Sequence, residues 1–299
     1  MTANEKLNYQ ILPFTEDDIP EAMELKNALG WNQTVAEWKR FIYLAEESCF
    51  KVVIDRHLAA TCFLFIRDHI AWLAMLIVKE EYKRRGIGRA LMEKSLEYCK
   101  HRGITLIKLD GTREAYPLYR GFGFLDEGEV GMFKGRIGSL NNARPYAHHA
   151  PGLKLKQVDL KDLEGIVSID TEAFGVSRAA MIERLLLDYP ESGFVAGEKE
   201  ISGYVLFKPG HHSYQIGPLI ASSPREANAL LEAVIERIGL ENRKADICIF
   251  SPLSYSAAAH LFERKDFTCV RRLIRMYKGN KMLCGCDEML YALSGPEKG

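Results

Sequence analysis

The segment AWLAMLIVKEEYKRRGIGRA, residues 71–90, decides the fold. Its first eight residues are apolar and predict a buried strand, and a charged connection follows over residues 79–83. The sequence then turns at RRGIG, residues 84–88, into a helical pattern. Amides in the first turn of a helix lack intrahelical partners, the helix dipole adds positive charge there, and glycine admits a ligand close to the backbone. The segment therefore predicts a pyrophosphate site at a helix N-terminus.

Length and charge limit the classes of protein to consider. A chain of 299 residues favours two domains, and its formal net charge is zero at pH 7. Balanced charge gives no general attraction to nucleic acid or to an anionic membrane. The N-terminus lacks the apolar region of a signal peptide, and no apolar stretch reaches transmembrane length. We predict a cytoplasmic protein without nucleic-acid or membrane partners, either a monomer or a homodimer.

The seven cysteines favour a reducing compartment. Their number is odd and most of them lie in apolar runs, which is typical of buried reduced thiols. Cys284 and Cys286 form a lone CGC pair without the second pair of ligands that a structural zinc site needs. We therefore predict no metal.

The order of elements up to residue 140 predicts a mixed α/β sheet. A strand and two helices precede three strands that form an antiparallel meander. A helix over residues 87–101, a strand over 104–109 and a short helix over 113–120 follow. The chain then turns at residues 121–124 into a last pair of strands that ends near Phe133. Residues 1–140 are the first predicted domain.

The same order of elements begins again after residue 152. Residues 141–152, NNARPYAHHAPG, are polar, contain two prolines and are the predicted linker. Residues 153–299 repeat the pattern of strand, two helices, three strands, helix, strand, helix and strand, which indicates an internal duplication. The predicted fold class is therefore α/β (α+β), with two tandem mixed-sheet domains.

Two motifs give the chain a family resemblance. Residues 83–88, KRRGIG, resemble the motif [Q/R]-x-x-G-x-[G/A], from which Lys83 is a mild departure. Residues 115–124, AYPLYRGFGF, match A-x-x-L-Y-x-x-x-G-F. With these motifs the chain resembles the GCN5-related N-acetyltransferase (GNAT) superfamily. A Rossmann turn would need a third glycine where Leu91 stands, and the G-K-[ST] of a P-loop is missing.

The whole chain resembles a narrower group, the tandem acetyltransferases of the holothin-acyltransferase type, which have a degenerate C-terminal repeat. The segments that carry this resemblance are residues 30–32, 109–112, 174–178, 216–221 and 275–279. The second half lacks the glycine pair, and Glu226 places negative charge at the start of the corresponding helix. Phe262 stands where the first half has Tyr119. We predict that residues 153–299 form a GNAT-like domain that does not bind CoA strongly.

The resemblance implies acyl transfer from acetyl-CoA to an amine. In the family the pantetheine lies between splayed strands, so backbone groups of Leu76 and Val78 would bond its amides. The N–H near Leu76 would also polarise the thioester carbonyl. The pyrophosphate would lie on the amides of residues 84–89. Cofactor binding is thereby assigned to Leu76, Val78, Lys83, Arg84, Arg85, Gly86, Ile87, Gly88, Arg89, Ala90, Thr112 and Tyr119.

The resemblance also assigns catalytic roles. Tyr119 matches the tyrosine that protonates the leaving thiolate in many members, and phenols are protonated at neutral pH. The fourth strand, residues 72–76, has no carboxylate, so Asp110 is the nearest candidate base by motif position. A helix-capping role for Asp110, a water relay and a base from the second half remain alternatives. Trp31 is a candidate wall of the acceptor site, whereas the helical spacing of Trp38 favours the core.

The leading functional prediction is an N-acetyltransferase that moves an acetyl or short acyl group to the amine of a small molecule by direct attack. A non-catalytic acyl-CoA-binding sensor or interaction protein is the main alternative. Acetylation of a protein amine, or nucleotide binding at the same helix N-terminus, would use the same features. One active site per chain is expected, because the glycine turn occurs once.

Overall fold

The computed structural model describes residues 7–140, 153–280 and 285–296. The predicted linker and Cys284 lie outside these ranges. In the N-terminal half, strands β1 to β6 are Gln10–Pro13, Cys49–Ile54, His57–Arg67, Ile70–Val78, Leu106–Gly111 and Leu125–Arg136. Helices α1 to α4 are Ile19–Ala28, Val35–Ala45, Ile87–His101 and Tyr116–Gly121.

The C-terminal half repeats this order, with one additional strand at its end. Strands β7 to β13 are Leu155–Gln157, Gly193–Ala196, Gly203–Pro209, Tyr214–Ala221, Asp246–Pro252, Thr268–Gly279 and Leu290–Ala292. Helices α5 to α8 are Leu163–Phe174, Ala179–Asp188, Pro224–Glu241 and Ser256–Glu263. The repeated order of elements confirms the predicted mixed α/β class.

All the described strands belong to one sheet, in the order β1-β2-β3-β4-β5-β12-β6-β11-β10-β9-β8-β7, with β13 beside β10. The two halves therefore interleave. β12, from the C-terminal half, lies between β5 and β6, and β6 in turn lies between β12 and β11. Each half consequently takes one strand of its sheet from the other half.

The strand pair predicted after residue 124 is wrong. The structure has a single long strand there, β6, and both of its neighbours come from the C-terminal half. In the register, Met132 opposes Phe250 on β11 and Arg271 on β12. A local sequence pattern indicates a strand but not a partner more than a hundred residues away, which is why the sequence favoured a hairpin.

The two faces of the sheet are covered differently. α1, α2, α5 and α6 share one hydrophobic core on one face, so this core belongs to both halves. α3 and α4 cover the other face of the N-terminal half, and α7 and α8 that of the C-terminal half, over two separate cores. Trp38 is fully buried in the shared core, where its ring stacks on Phe14 at 5.4 Å between centroids, as predicted from its spacing.

Buried contacts join the halves within the shared core. The ring of Trp72 on β4 lies 5.1 Å from that of Phe174 on α5. The Arg178 guanidinium lies 4.0 Å above the same Phe174 ring and donates to both oxygens of the buried Asp170, at 3.0 and 2.6 Å. Because the arginine is paired and the two rings pack against each other, this part of the interface is a packed interior.

Among the described residues, no helix is both long enough and apolar enough to cross a membrane. The same residues contain no group of three or more His, Cys, Asp or Glu side chains arranged to hold a metal ion. Six cysteines lie in the described part of the chain, and each is a free thiol.

Candidate active site

A gap between β4 and β5 is the centre of the candidate site. The two strands pair in parallel only where residues 70–72 oppose residues 106–108, and the described chain gives no further pair between them. The Lys79 N–H donates to the Ala59 carbonyl on β3 at 2.8 Å. Since backbone groups alternate in direction along a strand, the polar groups of Val78 and Leu76 face the gap. These are the two residues predicted to bond the pantetheine.

A β-bulge shapes the open edge of β4. The register against β3 shifts between Thr61 and Phe63, and Met75 has a φ of 52°, in the left-handed region. The Thr61 hydroxyl donates to the Met75 carbonyl at 2.7 Å and stabilises the distortion. A positive φ at a residue with a bulky side chain costs about 1–3 kcal/mol, and such strain concentrates at functional sites. No feature of the sequence predicted this bulge.

The turn after β4 exposes the amides that were predicted to bind pyrophosphate. Arg84 and Gly86 have φ values of 62° and 85°, and α3 begins at Ile87. No described side chain caps this helix end, and its first turn has no acidic residue. A Cβ on Gly86 would meet nothing within 4 Å, so the space beside the turn is open. The first amides of α3 are therefore free to bind an anion.

The basic side chains near this turn have different environments. Lys83 Nζ lies 2.8 Å from Glu80 and 3.2 Å from Glu114, so two carboxylates offset its charge and strengthen the turn. Those carboxylates raise the pKa of Lys83. The Arg89 guanidinium lies 5.2 Å above the centre of the Phe122 ring, which connects the start of α3 to the end of α4.

A groove of about 450 Å³ runs along the open edge of β4 from the N-terminus of α3. Most of the residues predicted to bind the cofactor line it, namely Leu76, Val78, Lys83, Arg84, Gly86, Gly88, Arg89, Thr112 and Tyr119. The other three do not. Arg85 is exposed beside the turn, and the Ile87 side chain is buried in the core, so only its backbone can face a ligand. The Ala90 N–H donates to the Gly86 carbonyl at 3.0 Å and is not free.

A second cavity of about 240 Å³ adjoins this groove, and we name it the acceptor cavity after the role predicted for Trp31, which lines it. Six residues line both spaces: Trp31, Leu76, Thr112, Ala115, Tyr119 and Arg271. The N-terminal half contributes the loop over residues 30–33 and parts of β4, β5 and β6. The C-terminal half contributes His212, Ser213, Gln215, Pro296 and parts of β11 and β12. The acceptor cavity therefore exists only where both halves are present.

The loop that carries Trp31 is held by the C-terminal half. Asn32 Oδ1 accepts from the backbone N–H groups of His212 and Ser213, at 2.8 and 3.1 Å. Asn32 Nδ2 donates to the Ser213 carbonyl at 3.0 Å. The buried Lys26 donates to the Trp31 carbonyl at 3.2 Å. These bonds keep the Trp31 side chain at the wall shared by the groove and the acceptor cavity.

Tyr119 lies at the junction of the two spaces. Its ring packs against the backbone of β5 at Gly111, where an added Cβ would come within 2.6 Å of Tyr119 Cε2. Phe124 supports the ring from the side, 6.1 Å away between centroids. Burial raises the pKa of Tyr119 above its ordinary value, with a further rise from the nearby Cys62 thiol. The phenol therefore keeps its proton over the physiological range and is available as a donor.

Asp110, the predicted base, is bound by an arginine of the C-terminal half. Arg275 Nε and Nη2 donate to its two oxygens, each at 2.8 Å, and the Asp110 side chain has no exposed surface. The guanidinium thus occupies both oxygens of Asp110 in a bidentate pair. The Thr112 hydroxyl accepts from the Ala115 N–H at 3.3 Å in the turn that precedes α4, so Thr112 and not Asp110 makes the side-chain contact there. The Arg275 contact could not be read from either motif.

The corresponding gap in the C-terminal half is closed by the chain itself. β10 and β11 pair in parallel over residues 214–216 and 247–249, and β13 then pairs with β10. The Leu293 N–H donates to the Phe250 carbonyl on β11 at 2.8 Å. Gly217, with a φ of 139°, leaves room for the Leu293 carbonyl, which an added Cβ would approach to 2.0 Å. The C-terminal segment thus fills the space that is open in the N-terminal half.

The helix after β10 also differs from α3 at its start. The Ser223 hydroxyl accepts from the Glu226 N–H at 3.3 Å, and it donates to the Glu226 carboxylate at 3.1 Å. Ser202 donates to the same carboxylate at 2.5 Å. This helix end is therefore capped by the chain's own side chains and carries negative charge, both of which disfavour an anionic ligand.

The C-terminal half keeps the backbone geometry of the A-x-x-L-Y-x-x-x-G-F motif but has phenylalanine in place of its tyrosine. The Phe267 N–H donates to the Phe262 carbonyl at 3.0 Å, as that of Phe124 does to Tyr119 at 3.2 Å. Asp266 has a φ of 62° where Gly123 has 80°. Phe262 is fully buried, and its ring cannot donate a proton.

Comparison with known families agrees with this architecture. The acetyltransferase (GNAT) family model matches residues 11–124, and a second acetyltransferase (GNAT) domain model matches residues 166–292. Together the two matches account for most of the chain, one in each half. The chain belongs to the GCN5-related N-acetyltransferases. It is a tandem GNAT protein, and proteins with this fold use acetyl-CoA as a co-substrate for acyl transfer, typically to an amine.

One named relative of this GNAT protein matches about half of the chain. It is 26% identical over 161 residues to the N-acetyltransferase YitH of Bacillus subtilis (strain 168), a protein itself named as uncharacterized. That match covers 54% of each chain, so only about half of the relative's length is matched.

Solved structures share the tandem fold. A candidate acetyltransferase from Pyrococcus horikoshii superposes with a TM-score of 0.80 and 22% identity, over 99% of this chain and 98% of the other. A GCN5-related N-acetyltransferase from Sphaerobacter thermophilus gives 0.69 and 17%, over 94% and 99%. A tandem GNAT protein from the clavulanic acid biosynthesis pathway gives 0.65 and 12%, over 91% and 98%. At these identities the likeness concerns the fold alone.

Proposed function

We propose that this GNAT protein transfers an acetyl or short acyl group from acyl-CoA to the amine of a small molecule by direct attack. The observation that carries the proposal is the open gap between β4 and β5, which connects the uncapped N-terminus of α3 to the acceptor cavity past Tyr119. The free amides and open space at Gly86 fit a pyrophosphate, and the free edge of β4 fits an extended amide-containing chain.

Three groups at the junction of the groove and the acceptor cavity then have one role each. The backbone N–H of Leu76 binds the carbonyl oxygen of the thioester and stabilises the negative charge that develops on it. The amine nitrogen attacks the carbonyl carbon, the carbon–sulfur bond breaks, and the phenol of Tyr119 gives its proton to the leaving thiolate. Trp31 forms one wall of the acceptor cavity and excludes water from the reacting atoms.

The attacking amine must lose a proton, and Asp110 is not suited to take it. We assign this step to water in the acceptor cavity, since the Arg275 pair occupies both oxygens of Asp110. The imidazole of His212, which lines the same cavity from the C-terminal half, is the nearest alternative to a relay through water alone. Both alternatives draw on the cavity that the second half completes.

The size and enclosure of the acceptor cavity favour a small molecule over a protein. At about 240 Å³ it holds a small amine, and its walls come from both halves of the chain. A protein amine would have to reach the thioester past the loop over residues 30–33, which Asn32 fixes to the C-terminal half.

Release of free thiol from acetyl-CoA, measured across a panel of small amines, tests the proposal. At least one class of amine is expected to stimulate release, and mass spectrometry should find the acetyl group on its nitrogen. Tight binding of CoA with no stimulation by any amine would instead establish an acyl-CoA sensor. Preferential binding of NAD over acetyl-CoA and CoA would overturn the cofactor assignment.

A further inference from the structure

The acceptor cavity has an unbalanced charge. Apart from Tyr119, its titratable lining side chains are Asp110, Lys134, His212 and Arg271. The only carboxylate among them, Asp110, is already paired with Arg275 through two hydrogen bonds. Its negative charge is therefore cancelled within the protein. The side chains of Lys134 and Arg271 are the two cations that can interact with a ligand in the cavity.

These two cations lie close together on one face of the sheet. Met132 and Lys134 are two residues apart on β6 and both line the cavity, so they project from the same face. Arg271 on β12 is the partner of Met132 in the register and lines the cavity as well. Within the described chain neither Lys134 nor Arg271 forms a salt bridge, and both are exposed. Lys134 does interact electrostatically with Asp246 on β11, whose carboxylate is paired with Arg136.

Apolar groups make up much of the remaining wall. Leu73, Met75, Phe250 and Leu273 line the cavity beside the two cations. An excess of positive charge at the cavity favours a negative group and disfavours an acceptor whose only charge is its ammonium. The planar fork of an arginine also fits a carboxylate through two parallel hydrogen bonds.

We propose that the acceptor is an amine that also carries a carboxylate, of the amino-acid class, and that Lys134 and Arg271 bind this carboxylate. The inference rests on the proposed function. It gives the substrate a direction: the carboxylate lies toward β6 and β12, and the amine points toward Leu76 and Tyr119. It also gives the exchange of β6 and β12 a role in substrate binding, since Lys134 comes from the N-terminal half and Arg271 from the C-terminal half.

Matched substrate pairs test the inference. Phenylalanine is compared with phenylalaninamide and phenethylamine, and glutamate with glutamate α-amide, using kcat/KM for thiol release from acetyl-CoA. The ammonium of an amino-acid amide is more acidic than that of the free amino acid, so more of the amide is in the reactive amine form at a given pH. A preference for the free acid therefore reports recognition of its carboxylate. We expect the acid to be preferred by at least about ten-fold, the size typical of a hydrogen-bonded charge.

Variants separate the acceptor site from the cofactor groove. Arg271 lines both spaces, whereas Lys134 lines only the acceptor cavity, so Lys134→Met is the informative change. It should lower the acid-to-amide ratio by about ten-fold and leave the Kd for CoA unchanged. Lys244→Met, which removes an exposed lysine outside both spaces, is the matched control and should leave the ratio as it was.

A binding measurement keeps the inference independent of turnover. Calorimetric titration of the same acids and amides into the CoA-saturated protein should show tighter binding of the acids, weakened by Lys134→Met. Equal kcat/KM for acids and amides, or a ratio that Lys134→Met does not change, would overturn the inference while leaving the acyltransferase intact. If no amine is turned over, the proposed function fails, and an absence of acid binding in the titration would then overturn the inference as well.

Discussion

At the scale of single residues, Tyr119 joins the cofactor groove to the acceptor cavity and is the proposed proton donor. Tyr119→Phe should lower kcat by about 10²-fold, because general acid catalysis typically contributes this much, with near-normal binding of acetyl-CoA. The ring keeps its packing against Gly111 in this variant, since only the hydroxyl is lost. An unchanged kcat would remove Tyr119 from the acid role.

The raised pKa of Tyr119 predicts the form of the pH profile. Because burial favours the neutral phenol, the acid form persists above the ordinary tyrosine pKa of about 10. The value of kcat/KM should therefore rise with pH as the acceptor ammonium loses its proton, without a descending limb below about pH 10. A descending limb near neutral pH that disappears in Tyr119→Phe would contradict this assignment.

A double substitution separates the structural role of Asp110 from a catalytic one. Asp110→Asn alone removes the bidentate partner of the largely buried Arg275 and should cost about 3 kcal/mol in the free energy of unfolding. Asp110→Asn combined with Arg275→Gln replaces the ion pair by two neutral amides and should recover much of that stability. Turnover should recover with it, as measured by thiol release at equal folded fraction. A stable double variant that stays about 10²-fold slower would restore Asp110 as the base.

What could be predicted at this scale depends on sequence distance. The two motifs indicated Tyr119 and the glycine turn, because their spacing is local. The Arg275 partner of Asp110 lies 165 residues along the chain, and no local pattern indicates that the two side chains pair. Lys134 and Arg271 were likewise not singled out, since each is an ordinary basic residue in a strand until the register brings the two together.

At the scale of elements, the strand, turn and helix from β4 to α3 were predicted well. The helix occupies Ile87–His101, the range expected from its apolar stripe and from the glycine after it. The bulge at Met75 was not predictable, because a left-handed methionine has no sequence signal and depends on the hydroxyl of Thr61 on β3. The contact between Thr61 and Met75, and not the local sequence, stabilises the left-handed backbone at Met75.

Two glycines at opposite ends of α3 provide a matched test of the turn. Gly86 and Gly103 have φ values of 85° and 69°, and an added Cβ meets nothing within 4 Å at either. Alanine at each position should cost a similar roughly 1–2 kcal/mol in the free energy of unfolding, the penalty of a left-handed backbone. Only Gly86→Ala should raise the Kd for acetyl-CoA, because the free amides at the start of α3 follow Gly86, whereas Gly103 lies at the far end of the helix. Equal Kd changes in the two variants would contradict the site.

At the scale of the whole molecule, the exchange of β6 and β12 makes each half depend on the other. Residues 1–140 produced alone would leave β5 and β6 without the strand that separates them. We expect this fragment to be unstable or aggregated, since unpaired strand edges are prone to associate. Co-expression with residues 141–299 should yield a soluble complex with acetyl-CoA binding, measured by co-purification and calorimetry. A well-folded isolated first half would show that the exchange is dispensable.

The tandem architecture was predictable from the repeated order of elements, but the exchange was not. Strand pairing across more than a hundred residues leaves no periodicity in the sequence. Strand pairing at long range also left the closure of the second gap by β13 unpredicted. The sequence did predict, from Glu226 and Phe262, that the second half does not bind CoA strongly. The pairing of β13 with β10 adds a physical reason to expect one site per chain, because β13 lies where we would place a pantetheine in the second half.

The number of acetyl-CoA sites on the intact chain tests the central claim most directly. The N-terminal half has an open gap and an uncapped helix, whereas the second half has its gap filled and its helix capped. Calorimetric titration of the full chain with acetyl-CoA should therefore give one site per chain, and Gly86→Ala should weaken that site. Two sites per chain, no binding, or a single site that Gly86→Ala leaves unaffected would contradict the account.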